Sequence, residues 1–162
     1  MQHVAATEAA ERDGEELPQM QQTSQKSGYG QGREQPPIRS GVVMTAQVSN
    51  EGASGYLLPQ PVVRNSNGEE VRFDDLLGAH FAVVSHEPAR FDAASTAVIN
   101  ALKIKVIDVS ALEIVHGKFP DLLHAGEALL IRPDRLVFGH TDPDVTLDSL
   151  LTRLAESLHY SR

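Results

Sequence analysis

Glu127 to His140 reads EALLIRPDRLVFGH, two short apolar runs flanking Arg132-Pro133-Asp134-Arg135. Pro133 carries the fixed φ that the second position of a β-turn requires, and Asp134 suits the third. The stretch predicts a β-hairpin with strands at Glu127 to Ile131 and Leu136 to His140. Beyond it, Asp144 or Thr146 caps a helix running through His159, with Leu147, Leu150, Leu151, Leu154 and Leu158 along one stripe. A strand pair followed by an amphipathic helix is half of a layered α/β domain.

The other half lies upstream. LLPQPVV, Leu57 to Val63, is an apolar run whose prolines confine it to a sheet edge or to the first position of a strand. Asn65 to Gly68, NSNG, sets a small hairpin between Val62-Val63 and Val71-Phe73. Asp74-Asp75 before Leu76-Leu77, closed by Gly78, has the acidic start and glycine stop of one helical turn. His80 to Ser85, HFAVVS, reads as a buried strand. Phe91 to Leu102 then places Phe91, Ala94, Val98, Ala101 and Leu102 on one helical face. Lys103 to Ser110, KIKVIDVS, is a strand with a half-exposed face. The following ALEIVHGKFPDLLHAG is ambiguous and leaves room for a short helix at Pro120 to His124.

The order is hairpin, strand, helix, strand, broken segment, hairpin, long helix. A strand-helix-strand half followed by a strand-strand-helix half predicts an α/β, thioredoxin-like fold, a mixed central sheet with helices on both faces. From Met1 to about Asn50 the chain is rich in Gln, Glu, Gly and Ser, and its few apolar residues keep neither period 2 nor period 3.6. Such a segment buries too little to offset its ordering entropy. Residues 1–50 are therefore expected to be a flexible, linker-like tail, with Pro36-Pro37 as a short extended spacer, and residues 51–162 the folded domain.

A chain of 162 residues accommodates one domain with a core plus a tail. The net charge of -8 argues against nucleic acid and anionic membrane surfaces, both of which select a basic face. With no cysteine there is no disulfide, no thiolate nucleophile and no zinc-thiolate site. No basic-then-apolar leader opens the sequence, and no apolar run approaches the ~18 residues of a membrane span, so a cytoplasmic protein is expected.

Motifs for chemistry are sparse. Gly28-Tyr29-Gly30-Gln31-Gly32 imitates a dinucleotide fingerprint but has no strand before it, no helix after it and the wrong third spacing. No phosphate-binding loop, nucleophile elbow or zinc-protease helix is present. In a thioredoxin-type enzyme the reactive dithiol follows the strand that feeds the first long helix. The corresponding residues are Ser85-His86-Glu87-Pro88-Ala89-Arg90, a polar loop before a helix; adjacency in sequence does not make Ser85, His86 and Glu87 a triad, which is assembled in space. His3, His80, His86, His116, His124, His140 and His159 show no i, i+4 pair, although His116 and His124 share the ambiguous segment. Asp134, Asp142, Asp144 and Asp148 read as turn and helix-start residues, and Asp142-Pro143-Asp144 lacks the spacing of a calcium loop. No catalytic, cofactor-binding or metal-binding residue is assigned.

Tyr56-Leu57-Leu58-Pro59-Gln60-Pro61, Gly68 to Asp75 (GEEVRFDD) with Leu76-Leu77-Gly78, Phe81-Ala82-Val83-Val84, and Leu130 to Val137 (LIRPDRLV) together resemble the C-terminal domain of flavin-dependent aromatic hydroxylases of the 3-(3-hydroxyphenyl)propionate hydroxylase type. The likeness runs from about residue 37 to the end. It implies a thioredoxin-like domain that usually lacks the redox cysteines, attached in full-length members to a larger part that binds FAD and substrate and is reduced by NAD(P)H. None of the three motifs LPQP, DDLLG and RPDR is catalytic in that family. The glycine fingerprint of a flavin domain is missing, so FAD and NAD(P)H are implied only for full-length members. Met1 to about Asn50 then reads as the tail of a lost or separately encoded flavin domain. The resemblance implies a non-catalytic accessory domain whose partner is a flavoprotein domain or a second copy. The alternative is a fragment or split subunit of a working phenolic-acid hydroxylase.

Overall fold

The computed structural model describes residues 36–47, 53–120 and 123–160. In chain order the elements are β1 (Val62–Arg64), β2 (Glu70–Arg72), α1 (Phe73–Leu77), β3 (Ala82–Ser85), α2 (Ala93–Leu102), β4 (Lys105–Asp108), β5 (Glu113–His116), β6 (Ala128–Ile131), β7 (Val137–His140) and α3 (Leu147–Ser157). They build a four-stranded sheet in the order β4-β3-β6-β7 and a three-stranded sheet in the order β2-β1-β5. β3 and β4 are parallel, whereas β6 is antiparallel to both β3 and β7. This is the mixed sheet of a thioredoxin-like fold, as the order of elements predicts.

Both central strands are buried on both faces, which is why AVVS and ALLI read as unbroken apolar runs. Successive side chains divide between two cores. Val83, Leu130 and Phe138 meet Val98 of α2 and Leu150, Leu151 and Leu154 of α3. Ala82, Val84, Leu129, Ile131 and Val137 meet Phe73 and Leu77 of α1, Val63 of β1, and Leu123. Helices thus lie on both faces, but unequally: α2 and α3 share one, and a single turn covers the other, helped by the small sheet and by Phe119, whose ring stands edge-on to Phe73 at 4.8 Å.

Local signals hold at most elements. Asn65 Oδ1 accepts from the N–H groups of Asn67 and Glu69, and Gly68 takes φ 81° in the turn between β1 and β2. Pro61 immediately precedes β1, the central strand of its sheet. α2 begins two residues later than its apolar pattern suggests because Asp92 caps it, accepting from Ser95 N–H at 2.6 Å. Ser95 is buried on its inner face, whereas Ala101 is exposed. Thr146 caps α3 through Ser149 N–H.

Three stretches differ from their reading. Glu113–His116 lies in the ambiguous segment and forms β5, because β1 supplies an antiparallel partner some 50 residues upstream. The helix expected at Pro120 to His124 includes residues 121–122, outside the described residues; Phe119, Pro120, Leu123 and His124 are not helical. Residues 36–47, read as part of the tail, instead pack on the sheet. Met44 N–H donates to Phe138 C=O at 2.7 Å, Arg132 donates to Val42 C=O at 3.0 Å, and Val43 is buried. Gly55 N–H donates to Val137 C=O and Val137 N–H to Tyr56 C=O. Together the two segments cover the outer edge of β7, satisfying backbone groups that a bare edge strand would leave open. The proposed boundary at residue 50 falls outside the described residues, as do residues 1–35 and the Gly28 to Gly32 motif. No helix among the described residues is long and apolar enough to cross a membrane.

Candidate functional site

The C-terminal end of β3 opens into a cleft of about 360 Å³, bounded by the β3–α2 loop, the turn before β6 and the loop between β7 and α3. Ser85, Glu87, Arg90, Glu127, Asp142 and Thr146 line it. Ser85 is buried, and its hydroxyl donates to Glu87 C=O at 2.6 Å. Its proton is directed to a carbonyl rather than to an imidazole, so Ser85 has no base. His86 N–H bridges to Glu127 C=O, fastening the loop to the start of β6. The loop is a helix approach closed by its own backbone, and Ser85-His86-Glu87 is not a catalytic row.

A flavin dinucleotide does not fit the βαβ unit that this chain possesses. Pyrophosphate recognition needs glycines between strand and helix and free N–H groups at the helix N-terminus. The β3–α2 loop has no glycine, and the Asp92 carboxylate occupies the N-terminus of α2, placing negative charge where a phosphate would sit.

A second polar cluster brings together residues far apart in sequence. Gln47 Oε1 accepts from His140 N–H at 3.0 Å, and its Nε2 donates to His140 C=O at 2.7 Å and to Asp142 Oδ2 at 3.0 Å. Ser54 Oγ donates to the same Gln47 oxygen at 3.3 Å and lies 3.5 Å from His140 Nδ1. Burial pushes the His140 imidazole below its ordinary value, against the opposing pull of Asp142 and Glu127. The N–H of Asp144 chiefly holds the Asp142 carboxyl below the usual range, with Gln47, Val145 and His140 adding to it. Serine, histidine and aspartate therefore do meet, but Ser54 is wholly buried and Asp142 bonds Gln47 rather than the imidazole. The arrangement fastens a segment; it does not expose a nucleophile.

The other sequence candidates have structural duties. Asp134 pairs with Arg132 at 2.6 Å within the turn, Asp142 accepts from Asp144 and Val145 N–H groups, and Asp148 accepts from Asp92 N–H at 3.2 Å, tying α3 to α2. His116 ends β5, and His124 is exposed in the loop before β6. Among the described residues, no group of three or more His, Asp or Glu side chains could hold a metal ion. Gln47 was hidden in the polar stretch, and Ser54 lies just after it in residues assigned to no element; the nearby run Val42-Val43-Met44 was the available signal that the stretch packs.

Comparison with known proteins places this geometry. Residues 55–157 match the family model of the HcaD C-terminal domain. The chain is 27% identical over 131 residues to the 3-(3-hydroxy-phenyl)propionate/3-hydroxycinnamic acid hydroxylase 2 of Burkholderia vietnamiensis, covering 66% of this chain and 24% of that protein. It is 26% identical over 144 residues to the corresponding Klebsiella pneumoniae hydroxylase, covering 76% and 26%. The chain thus spans about a quarter of the length of the curated relatives it matches. Aklavinone-11 hydroxylase, solved as a ternary complex with FAD and aklavinone, superposes with a TM-score of 0.55 at 25% identity, over 76% of this chain and 26% of that one. The flavin-dependent monooxygenase PieE shares the fold, with a TM-score of 0.51 at 19% identity over 66% and 20%. The chain belongs to the HcaD C-terminal domain family, the C-terminal domain of FAD-dependent aromatic hydroxylases.

Proposed function

We propose that this chain is a non-catalytic accessory domain that docks on the flavin-binding part of an FAD-dependent aromatic hydroxylase and holds neither flavin nor a redox dithiol itself. The observation that carries the reading is the loop after β3. Where a thioredoxin-type enzyme holds its thiols, this chain has Ser85 to Arg90, with the Ser85 hydroxyl committed to a backbone carbonyl. The relatives' names assign them 3-(3-hydroxyphenyl)propionate and 3-hydroxycinnamic acid as substrates. On this reading, hydroxylation belongs to the three quarters of those proteins that this chain does not match. A cytoplasmic setting goes with it, because NAD(P)H-dependent chemistry draws on the cytoplasmic nucleotide pool.

The purified chain should be colourless and should not oxidise NAD(P)H in the presence of phenolic acids. Yellow flavin copurifying at near one-to-one stoichiometry would overturn the reading. A second reading, a split subunit required for turnover, is favoured by the quarter-length match. Adding the chain to the flavin-binding part of the Klebsiella pneumoniae hydroxylase separates the two. Binding without a change in turnover supports the accessory domain, and restored hydroxylation supports the subunit.

A further inference from the structure

The chain has three methionines and no cysteine, and among the described residues Met44 carries the only sulfur. Its side chain is half-buried where residues 36–47 meet β7, packed against the core that holds Val83, Phe138 and Leu150. Gly139 makes the seat. The space that a Cβ there would fill is taken by Met44 Cγ, 2.8 Å from that point, with Leu150 Cδ2 at 2.7 Å and Gln47 Oε1 at 3.1 Å. The backbone is fastened at the same place, since Met44 N–H donates to Phe138 C=O at 2.7 Å and Met44 C=O accepts from Gln47 N–H at 2.9 Å. The thioether thus stands beside the side chain that ties residues 36–47 to His140 and Asp142.

Oxidation converts a flexible apolar methionine into a polar sulfoxide, and a half-buried position leaves it open to a small oxidant. With a peroxide, a sulfur lone pair attacks one oxygen, the S–O bond forms and the O–O bond breaks. The proton on the transferred oxygen passes to the departing one, which leaves as water when the oxidant is hydrogen peroxide. Sulfur is oxidised by two electrons and the peroxide is reduced by two. The new oxygen is a strong acceptor, and Gln47 has no donor left for it. Both Nε2 hydrogens go to His140 C=O and Asp142 Oδ2, and Oε1 is itself an acceptor. An unpartnered polar oxygen is unfavourable in such a seat, so the sulfoxide favours a lifted segment with its oxygen in water. We propose that Met44 is a redox-sensitive fastener: a peroxide converts its thioether to the sulfoxide, which unseats residues 36–47 and uncovers the β7 edge, and reduction of the sulfoxide reseats them.

The test treats the full chain with dilute hydrogen peroxide and reads oxidation at each methionine by peptide mass spectrometry, beside thermal melts and amide hydrogen exchange. Oxidation at Met44 should lower the melting temperature by about 4 °C. Exchange at residues 42–47 should quicken at least about tenfold while β3 keeps its protection, which separates a lifted segment from general unfolding. Methionine sulfoxide reductases acting on both epimers should reverse both changes. Met44→Leu keeps an apolar side chain of similar volume and should show neither change after peroxide, although Met1 and Met20 remain in it to be oxidised. Met44→Gln carries a polar group from the start and should show the quickened exchange without peroxide; should it not fold, the leucine comparison decides. Resistance of Met44 to peroxide while Met1 and Met20 are oxidised overturns the proposal. So does Met44 sulfoxide with unchanged exchange at residues 42–47, or an equal response in Met44→Leu.

Discussion

Arg135 ion-pairs through Nε with the Asp74 carboxylate, joining the turn between β6 and β7 to the first turn of α1. The same guanidinium donates to Gly78 C=O at 2.7 Å and to Asp74 C=O at 3.3 Å, so the RPDR and DDLLG motifs are two halves of one fastening. Arg135 does this from the left-handed region, at φ 70°, which costs a residue with a Cβ about 1–2 kcal/mol. Its bonds to α1 offset that cost.

Replacing Arg135 therefore separates backbone from side chain. Arg135→Ala should lose about 1–3 kcal/mol of stability, since Asp74 keeps a half-buried charge without its partner. Arg135→Gly loses the same bonds but is relaxed at positive φ, and should recover about 1 kcal/mol relative to alanine. Urea denaturation gives the order parent, glycine, alanine. Alanine equal to or above glycine would refute the strain at this position.

Gly139 is needed for close approach. A Cβ there would lie 2.7 Å from Leu150 Cδ2, 2.8 Å from Met44 Cγ and 3.1 Å from Gln47 Oε1. Gly139→Ala should destabilise by about 1–3 kcal/mol through overpacking. Adding Met44→Ala should recover part of it, and a double-mutant cycle should show coupling above about 0.5 kcal/mol. Strict additivity would mean that residues 44–47 do not press on β7.

Pro133 presets the hairpin turn, in which Arg135 N–H reaches Arg132 C=O at 3.0 Å. Pro133→Gly should cost about 0.4–1 kcal/mol by raising the entropy of the unfolded chain. An unchanged melting temperature would count against that role.

Acidification should loosen the Gln47 cluster. Burial holds the folded His140 below 6.5, its ordinary value, so the unfolded chain binds the proton more readily. The stability that His140 contributes is complete above 6.5 and is lost as pH falls from there through the lower folded value. Asp142 is held below 3.8 and adds a further loss under more acidic conditions. Thermal melts between about pH 8 and pH 4 should be level at first and then decline, and His140→Asn should flatten the first part of the decline. Parallel curves for the two proteins would exclude His140 as its source.

The hairpin at Arg132 to Arg135, the leucine stripe of α3 with its Thr146 cap and the apolar face of α2 were legible because their causes are local. A proline at one turn position, a threonine or aspartate before a helix and an apolar period of 3.6 act within a few residues. The absence of thiol chemistry was equally a property of the sequence, which has no cysteine to place after β3. Tertiary structure alone decided the rest. EIVH at Glu113 to His116 became a strand only because β1 lay beside it. Residues 36–47 became part of the domain because β7 had an edge to cover and Gln47 could satisfy four groups there, although His140 lies 93 residues away. Polar side chains carry no period that announces a distant partner; their burial becomes favourable only when the fold supplies the complementary donors and acceptors.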